Sequence, residues 1–396
     1  MTSIYFRPSH SIEVLINIPR IQKNMGAQKY VVCKGYYGLG GNIAVLLCAK
    51  RVSEILDRKL LVDWRENRNY GLSDSDIFQD LFSSDEILSF DPSFGEGSVW
   101  PEYWKPFIGR TQPYSSDFPL TTVRSSDIEE IPRDELNKFD LIVITRDDKY
   151  WHSHEYLEEF SQISRCLSPN SEILKTIDNF EKENFSDHTV GIHFRHGNGE
   201  KTVVPPDINW FFEKIESIYG SKKDFRVFLC TDCSAVVSRF EEKYPGLVIH
   251  TEKFYPPLGS GGMHYAKGDE AKMSSAIEAI IDIWLLSRCS RLIGSKSFFS
   301  RLAVILGQSR NLIEHFIWNP IHRSHKPLEG HIEISEDDEI LRLFSSNLIP
   351  IDGIYFTESG DEKELYYLFT KIATFSDRNP LDIEIVRSGL LRNRLY

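Results

Sequence analysis

Short apolar runs alternate with amphipathic segments along most of the chain. The runs at 29–34 and 60–64 have the length and β-branched content of buried strands, and an amphipathic helix opens between them at Asn42. A strand at 140–145 and a helix at 153–166 follow. Because strands and helices alternate at this spacing, the pattern predicts a parallel sheet covered by helices.

The alternation is most regular in the second half of the chain, which opens with a strand at 189–194. Pro205, Pro206 and the N-cap residue Asp207 then precede a helix. The remaining predicted strands are 225–231, 247–251, 291–294 and 311–316, and the predicted helices are 208–219, 235–244, 270–288 and 297–306. We therefore expect an α/β protein with two facing domains, each built on a parallel sheet.

Less regular segments indicate where the domains begin and end. Residues 66–140 combine turn residues with isolated aromatic side chains. These aromatic rings either stack on sugars or fill a small core. The charged stretch 171–187 predicts the crossing between the domains, and an amphipathic helix is predicted at 362–375. The predicted units are an N-terminal domain at 1–187, a C-terminal domain at 188–326 and a tail at 327–396 that packs back on both.

Composition narrows the class of protein. A hydrophobic content of 41% and a charged content of 26% are typical of soluble globular proteins. The net charge of −12 argues against nucleic acid as a partner. The chain has no apolar run of about 20 residues, which a membrane-spanning helix needs, and residues 1–20 do not resemble a secretory signal. We therefore expect a cytoplasmic protein with no integral membrane segment.

The six cysteines lie mostly in apolar segments, which predicts reduced core residues. Cys230 and Cys233 form a CxxC pair, but no second pair of ligands follows at a zinc-like spacing. A metal or redox role for this pair is therefore not expected.

The strand at 189–194 runs directly into a polar, glycine-rich loop. His193 and Arg195 fall at the carboxyl end of this strand, where open α/β sheets bind their ligands. The planar guanidinium of Arg195 presents several N–H donors, which suits a diphosphate. The glycines at 197 and 199 permit a tight turn. The alternative is an ordinary strand end at which His193 and Arg195 pair with nearby carboxylates.

Two other segments, 35–41 and 295–300, place a helix start directly after a strand. Amides and the helix dipole bind anions at such a position. The glycines of the first segment are too closely spaced for a dinucleotide fingerprint. An ordinary turn in the first segment and simple capping by serine in the second are the alternatives. The candidate phosphate contacts are Gly38, Gly40, Gly41, Ser295, Ser297 and Ser300.

Two carboxylates are candidates for nucleotide binding. Asp232 follows the strand at 225–231, and Asp282 lies in an apolar helical stretch, where a carboxylate needs a partner. Guanine offers adjacent N1–H and N2–H donors that match a carboxylate. A structural pair between Asp282 and an arginine such as Arg288 is the alternative.

Glu200, on the loop beyond Arg195, is the candidate catalytic base, and Asp207 and His196 are less well placed. Glu200 is equally interpretable as a solvated loop residue. No acidic pair or cluster of histidine and aspartate stands at these strand ends to hold a divalent ion, so we expect no metal and assign the diphosphate charge to Arg195.

Several motifs, taken together, resemble the α-1,6-fucosyltransferase family, most closely its rhizobial nodulation members. The matching blocks are HFRHGN at 193–198, CTD at 230–232 followed by YP at 244–245, DIWLLS at 282–287, SKSFFSR at 295–301, and the glycine segment 35–41 with LVDWR at 61–65. Residues 66–140 and the tail after 326 are not clearly covered by the resemblance.

The resemblance implies a GT-B fold of two Rossmann-like domains, with the donor bound by the second domain. It implies an inverting transfer of L-fucose from GDP-fucose to a GlcNAc-containing, chitooligosaccharide-like acceptor in α-1,6 linkage, without a metal or other cofactor. It places Arg195 on the β-phosphate, His193 near the nucleotide, Asp282 on guanine, and Gly38–Gly41 with the serines of 295–300 around the phosphates.

We predict a single displacement in which Arg195 and the helix-start amides offset the charge on the departing diphosphate while Glu200 accepts the proton. Other GDP-sugar donors, a protein O-fucosyl acceptor, and a non-catalytic protein that binds nucleotide sugars are the alternatives.

Overall fold

The computed structural model of the 396-residue chain describes a large part of it. The described residues are 28–35, 37–65, 77–91, 97–109, 123–124, 128–146, 156–198, 205–220, 222, 224–260, 269–295 and 297–307, together with the backbone of 312–317, 326–328, 356–359, 362–364 and 370–374. Side chains are described from residue 273 onward in the segment that begins at 269.

Five parallel strands form the first sheet, in the order β4–β2–β1–β6–β5. They are β1 (Tyr30–Lys34), β2 (Lys59–Asp63), β4 (Ile87–Ser89), β5 (Val99–Trp100) and β6 (Leu141–Ile144). Helices α1 (Leu39–Ile55), α2 (Ile77–Leu81), α3 (Arg133–Leu136) and α4 (Leu157–Ile163) accompany them, with 3-10 helices at Glu102–Phe107 and Ser164–Cys166. β1 is paired on both edges and covered by α1, which explains its nearly continuous apolar sequence.

The second sheet has the order β10–β9–β8–β11–β12–β16. Its strands are β8 (Thr189–Phe194), β9 (Arg226–Thr231), β10 (Val248–Ile249), β11 (Arg291–Ser295), β12 (Leu312–Ile317) and β16 (Thr370–Thr374). The helices of this half are α5 (Ser171–Asn184), α6 (Ile208–Tyr219), α7 (Ser234–Lys243), α8 (Asp269–Ser287) and α9 (Phe298–Gly307). The first five strands are parallel and doubly wound, so the strand order reverses between β8 and β11.

Two small antiparallel sheets complete the described strands. β3 (Phe82–Ser83) pairs with β7 (Ser168–Pro169). β13 (Lys326–Leu328), β14 (Phe356–Ser359) and β15 (Glu362–Glu364) form the other.

The predicted alternation of strands and helices is confirmed, with ends that shift by a few residues. Asp207 caps α6 as predicted, and its carboxylate accepts the backbone N–H of Asn209 at 2.9 Å. The six cysteines all lie among the described residues and form no disulfide bonds there, also as predicted. The two sheets lie on either side of residue 187, and the domain boundaries themselves stay predictions.

Two local predictions were wrong. Helix α1 begins at Leu39 and not at Asn42, so Gly40 and Gly41 belong to its first turn, where packing against α9 outweighs the low helix propensity of glycine. The helix predicted at 362–375 is replaced by β15 and β16. β16 pairs antiparallel with β12, and the backbone groups along that edge of the sheet thereby gain partners.

The two halves pack against each other directly. The buried core contains residues of both halves, and the rings of Phe82 and Trp284 approach to 6.0 Å between their centroids. Helix α1 contacts α9 near the N-terminus of each. The carboxyl edges of both sheets therefore meet in one region.

In the part of the chain that the structure describes, no helix is both long enough and apolar enough to cross a membrane.

Candidate functional site

The candidate site lies where the strand order of the second sheet reverses. β8 and β11 end side by side there, with His193 opposite Gly294. The first residue after β8, Arg195, donates its backbone N–H to the Ser295 hydroxyl at 3.0 Å, and this hydroxyl in turn donates to the carbonyl of His193 at 3.2 Å. These bonds fix the two strand ends relative to each other at the crevice where such sheets bind ligands.

The guanidinium of Arg195 is held by Asp232, which follows the end of β9. One Nη lies 2.5 Å from the carboxylate, which also accepts the backbone N–H groups of His196 at 2.8 Å and Gly197 at 3.0 Å. Arg195 thus does pair with a carboxylate, as the alternative interpretation held. Its side chain nevertheless stays 29% exposed, so a ligand has access to it. The geometry makes Asp232 a residue that positions Arg195 and its turn.

Asn198 ties the turn to a second loop. Gly197 and Asn198 both adopt left-handed backbone, with φ of 76° and 45°, a conformation that suits glycine and that asparagine tolerates. The buried Asn198 amide donates to the carbonyl of Pro257 at 2.9 Å, and its oxygen accepts the N–H of Gly259 at 3.2 Å. The position of Arg195 therefore depends on the loop around the two prolines.

His193 is a buried, neutral imidazole. The Ser300 hydroxyl donates to the carbonyl of Ser295 at 2.7 Å, so it accepts from Nδ1 of His193, 2.8 Å away. Nε2 is then left as an acceptor. Burial lowers the pKa of His193 to about 4, with Asp232 acting in the opposite direction. At neutral pH the ring, which stacks on Phe299 at 5.4 Å, therefore offers an acceptor and no charge.

Two helix N-termini meet at the carboxyl edges of the two sheets. A Cβ added at Gly40, in the first turn of α1, would stand 3.1 Å from side-chain atoms of Phe298 and Phe299, in the first turn of α9. Neither helix has an acidic residue in its first turn. Because each N-terminus carries partial positive charge, the pair forms a region suited to an anion. Nothing lies within 4 Å of a Cβ added at Gly38, the N-cap of α1, so space is open beside it.

The serine hydroxyls of the second segment all bind protein groups. Ser297 accepts the N–H of Phe299 at 3.1 Å, as a cap does, while Ser295 and Ser300 hold Arg195 and His193. Capping and positioning are thus what the structure gives these serines. Direct contact with phosphate stays a prediction for them and for Gly38, Gly40 and Gly41.

Asp282 is buried, as predicted, but its partner is not Arg288. It forms a buried ion pair with Lys253 and accepts the Thr251 hydroxyl at 2.7 Å and the Cys230 thiol at 3.3 Å. Burial alone would lower the pKa of Lys253, but the Asp282 carboxylate raises it above its usual value. Lys253 therefore keeps its charge in the folded protein.

Arg288 instead binds two carboxylates of α5, those of Asp178 and Glu181, at 2.7 and 2.5 Å. The alternative that paired it with Asp282 is wrong. Contact of Asp282 with guanine stays a prediction.

Sequence reasoning missed three residues beside Asp282. Lys253 and Tyr255 lie on the loop after β10, where no periodicity marks them. Glu278 lies four residues before Asp282 on α8, and this helical spacing is a signal that places both on one face. Burial raises the pKa of Glu278 to about 7, and Lys253 acts in the opposite direction.

A charged cluster also stands at the carboxyl edge of the first sheet. Lys34 is fully buried and binds Asp63 and the carbonyl of Ile108, the latter at 2.8 Å. Arg65 donates to both oxygens of the same carboxylate, at 2.8 and 3.1 Å. Two cations thus surround one anion at the end of β2. Within this cluster of three side chains, the cations therefore outnumber the carboxylate.

The base candidates have different outcomes. Glu200 lies outside the described residues. Asp207 is engaged as the cap of α6, and Nδ1 of His196 accepts the N–H of Asn198 at 3.2 Å, within the turn. The identity of the base stays a prediction.

The aromatic residues of the first half divide between the two interpretations. Trp104 is fully buried and belongs to the core. Tyr103 is 41% exposed, so its ring lies at the surface.

Comparison with known proteins gives consistent results. A family model described as Nodulation protein Z (NodZ) matches residues 27–320. Nodulation protein Z of Azorhizobium caulinodans is 28% identical over 299 residues, which are 70% of this chain and 88% of that protein. Nodulation protein Z of Bradyrhizobium diazoefficiens is 25% identical over 286 residues, which are 67% of this chain and 75% of that protein.

Two crystal structures of NodZ α-1,6-fucosyltransferase, one soaked with GDP-fucose and one co-crystallised with GDP, superpose with a TM-score of 0.51 at 23% identity. Each superposition covers 73% of this chain and 95% of the other. The predicted GT-B-like fold of two facing Rossmann-like domains is therefore confirmed.

Proposed function

This chain belongs to the NodZ family, and from that membership we propose that it is an α-1,6-fucosyltransferase that transfers L-fucose from GDP-fucose to a GlcNAc-containing oligosaccharide. The span that matches the family, residues 27–320, contains every candidate site residue. A relative of the same fold was crystallised with GDP and soaked with GDP-fucose, which supports this choice of donor.

The observation that carries the proposal is the position of Arg195. Its part-exposed guanidinium projects from the strand end at the switch point, and Asp232 and Ser295 fix it there. The N-termini of α1 and α9 meet at the same edges of the two sheets. A planar cation beside two positive helix ends suits a diphosphate better than it suits a neutral ligand.

We infer an inverting single displacement that needs no metal or other cofactor. A hydroxyl oxygen of the acceptor attacks the anomeric carbon of fucose on the face opposite the diphosphate. The bond from that carbon to the phosphate oxygen breaks, and its electron pair stays on the departing GDP. Arg195 and the amides of the two helix starts stabilise this growing negative charge. Glu200 is the candidate that accepts the proton of the hydroxyl.

His193 and Asp232 have supporting roles in this proposal. Neutral His193 offers Nε2 as an acceptor for a hydroxyl or N–H group of the nucleotide. Asp232 holds Arg195 in a fixed rotamer, so little conformational entropy is lost when the diphosphate binds. The first domain is the proposed acceptor side, with a chitooligosaccharide-like acceptor.

The test is release of GDP from GDP-fucose when a chitooligosaccharide is supplied, followed by mass spectrometry of the glycan. Arg195→Ala should lower kcat/KM by about 10²–10³-fold, the usual effect of removing one donor to a developing anion. Arg195→Lys should restore little of the lost kcat/KM, because an ammonium group cannot donate two parallel N–H bonds to the diphosphate as a guanidinium does.

The matched control is Arg239→Ala, since the side chain of Arg239 on α7 is 59% exposed and should not affect turnover. Near-normal turnover by Arg195→Ala would contradict the assignment. Supplying GDP-mannose and a protein acceptor in the same assay separates the alternative donors and acceptors, and tight GDP binding with no transfer would indicate a non-catalytic protein.

A further inference from the structure

A cavity of about 330 Å³ lies at the junction of the two halves. The walls that the structure describes come from residues 161–167 of the first half and from the carboxyl ends of α8 and α9 in the second. Small-molecule pockets in proteins have volumes of about 300–1,000 Å³. The cavity is therefore large enough for a small ligand that contacts both halves.

Chain order places this cavity at the opposite edge of the second sheet from Arg195. Helix α8 leads into the amino end of β11, so its last residue, Ser287, stands at the amino edge of the sheet. Helix α9 starts beyond the carboxyl end of β11 and leads to the parallel strand β12, so its last residue, Gly307, stands at the same edge. Arg195 instead follows the carboxyl end of β8, which is parallel to β11. A ligand in the cavity would therefore lie apart from the bound donor.

The wall that the second half contributes is closely packed. A Cβ added at Gly307 would overlap the carbonyl oxygen of Ser287, so the ends of α8 and α9 touch through their backbones. Trp284, one turn earlier on α8, is buried with its ring 6.0 Å from that of Phe82 in the first half. The cavity is therefore formed by fixed elements, and a ligand would bind without ordering them first.

Two arginines that line the cavity have N–H donors to offer. Arg288 binds Asp178 and Glu181 through a single nitrogen, Nη1, and its Nε and Nη2 bond to no residue that the structure describes. Arg165 is exposed and has no hydrogen bond or ion pair within the described part of the chain. Each guanidinium can therefore donate to an oxygen of a ligand.

Three serines add acceptors and one more donor. Ser164 donates to the carbonyl of Ser161 at 2.9 Å, and Ser287 donates to the carbonyl of Trp284 at 2.7 Å, so each of these hydroxyl oxygens can still accept. The hydroxyl of Ser161 is buried and has no hydrogen-bond partner among the described residues. A buried hydroxyl without a partner destabilises the folded protein, and a ligand would supply the missing bond.

The charges around the cavity do not favour an anion. The carboxylates of Asp178 and Glu181 balance the guanidiniums of Arg288 and Arg165, and the carboxyl ends of α8 and α9 add partial negative charge. A neutral ligand that both donates and accepts hydrogen bonds matches such walls better than phosphate does.

We propose that this cavity is a second binding site, separate from the transfer reaction, for a neutral sugar unit. The hydroxyls of a sugar ring both donate and accept, so they match the arginine donors and the serine oxygens together. The C–H faces of the ring pack on apolar side chains such as Leu167 and Trp284, which also line the cavity. Because the site joins the two halves, a bound sugar should stabilise their relative position.

Saturation-transfer NMR of the full chain with N-acetylglucosamine tests the assignment. The wild-type protein should bind the sugar saturably, with a Kd of about millimolar for a ligand of this size. Saturating GDP should leave this Kd unchanged. Arg165→Ala removes an exposed donor and should raise the Kd by about tenfold, since a bond to a charged group is lost. Ser161→Leu places a branched apolar side chain at the cavity and should abolish binding there.

Arg239→Ala is the matched control, because the side chain of Arg239 is 59% exposed on α7, away from the cavity, and the variant should bind the sugar as the wild type does. Circular dichroism checks that each variant folds, and Arg165→Ala, at an exposed position, keeps the test valid if Ser161→Leu does not fold. The inference is overturned if the wild type binds no sugar, or if Arg165→Ala leaves the Kd unchanged. It is also overturned if inorganic phosphate displaces the sugar, since the cavity would then be an anion site.

The inference does not rest on the proposed function, and the two fail separately. Arg165→Ala should release GDP from GDP-fucose at the wild-type rate, because the cavity lies at the far edge of the sheet. A protein that transfers fucose but binds no sugar sensitive to Arg165→Ala loses only the second site. A protein that binds the sugar in this way but transfers nothing loses only the transferase proposal.

Discussion

The buried ion pair between Lys253 and Asp282 makes a quantitative prediction about stability. Their side chains are only 2% and 4% exposed. Lys253→Met removes the charge while keeping an unbranched side chain of similar length, and Asp282 is then left buried with the Thr251 hydroxyl and the Cys230 thiol as its partners. Breaking a buried pair in this way typically destabilises a protein by about 3–5 kcal/mol. Since two neutral donors remain, we expect about 3 kcal/mol.

A double-mutant cycle shows whether this loss comes from the unpaired charge. Asp282→Asn combined with Lys253→Met leaves no buried charge at this position and keeps an acceptor for Thr251. The double variant should therefore recover about half or more of the loss of the single variant, a coupling well above the ~0.5 kcal/mol that separates independent sites. Urea denaturation followed by tryptophan fluorescence gives the free energy of unfolding of each variant.

The control is an exposed pair of the same type. Lys243 and Glu216 lie 2.7 Å apart with side chains that are 44% and 50% exposed. Lys243→Met should therefore change the free energy of unfolding by about 1 kcal/mol or less. If Lys253→Met were as mild as this control, or if the cycle were additive, the buried pair would not stabilise this part of the fold.

Two further predictions concern α1 and α8. Gly40→Val should push α1 away from the first turn of α9 and lower GDP affinity by about tenfold or more, because even a Cβ at this position would stand 3.1 Å from its neighbours. Gly109→Val is the control, because nothing lies within 4 Å of a Cβ added at Gly109. Equal GDP affinity of the two variants would argue against the close approach of α1 and α9. Glu278 faces Lys253 and Asp282, and its pKa in the folded protein is about 7 against an ordinary 4.5. The folded state therefore binds more protons between these values, so Glu278 lowers stability as the pH rises from about 4.5 to 7. Raising the pKa from 4.5 to about 7 corresponds to about 3.4 kcal/mol, and solvent screening of this part-exposed group reduces it to about 1–2 kcal/mol. Glu278→Gln should remove this pH dependence in thermal unfolding, and an unchanged profile would show that the carboxyl titrates normally.

The position of the site was predictable because it follows from chain order. Alternating strands and helices imply a parallel sheet, and parallel strands bring their carboxyl ends to one edge. His193 and Arg195 had to lie at that edge once β8 was recognised. The cap at Asp207 was equally local, since a proline pair and an aspartate precede the apolar helix. These features depend only on neighbouring residues.

Features that depend on tertiary proximity were not predictable. Lys253 comes from a loop without periodicity, and only the folded chain brings it to Asp282. β16 had the pattern of a helix, but its pairing with β12 decided its conformation. The start of α1 was misplaced for the same reason, since contact with α9 keeps glycines helical there. Glu278 was missed as well, although its helical spacing from Asp282 is a local signal that could have identified it.

The charges of the described site explain how a chain with a net charge of −12 can favour an anionic donor. The strand ends carry three cations, Lys34, Arg65 and Arg195, which bind only two carboxylates, those of Asp63 and Asp232. The two helix N-termini add partial positive charge. At the other end of the site the Lys253 and Asp282 charges cancel, which leaves the Glu278 carboxylate as an acceptor. The site is thus positive where a diphosphate would bind and negative where a base with N–H donors would bind. A nucleoside diphosphate with such a base would bind in one orientation, because reversing it would place phosphate beside a carboxylate.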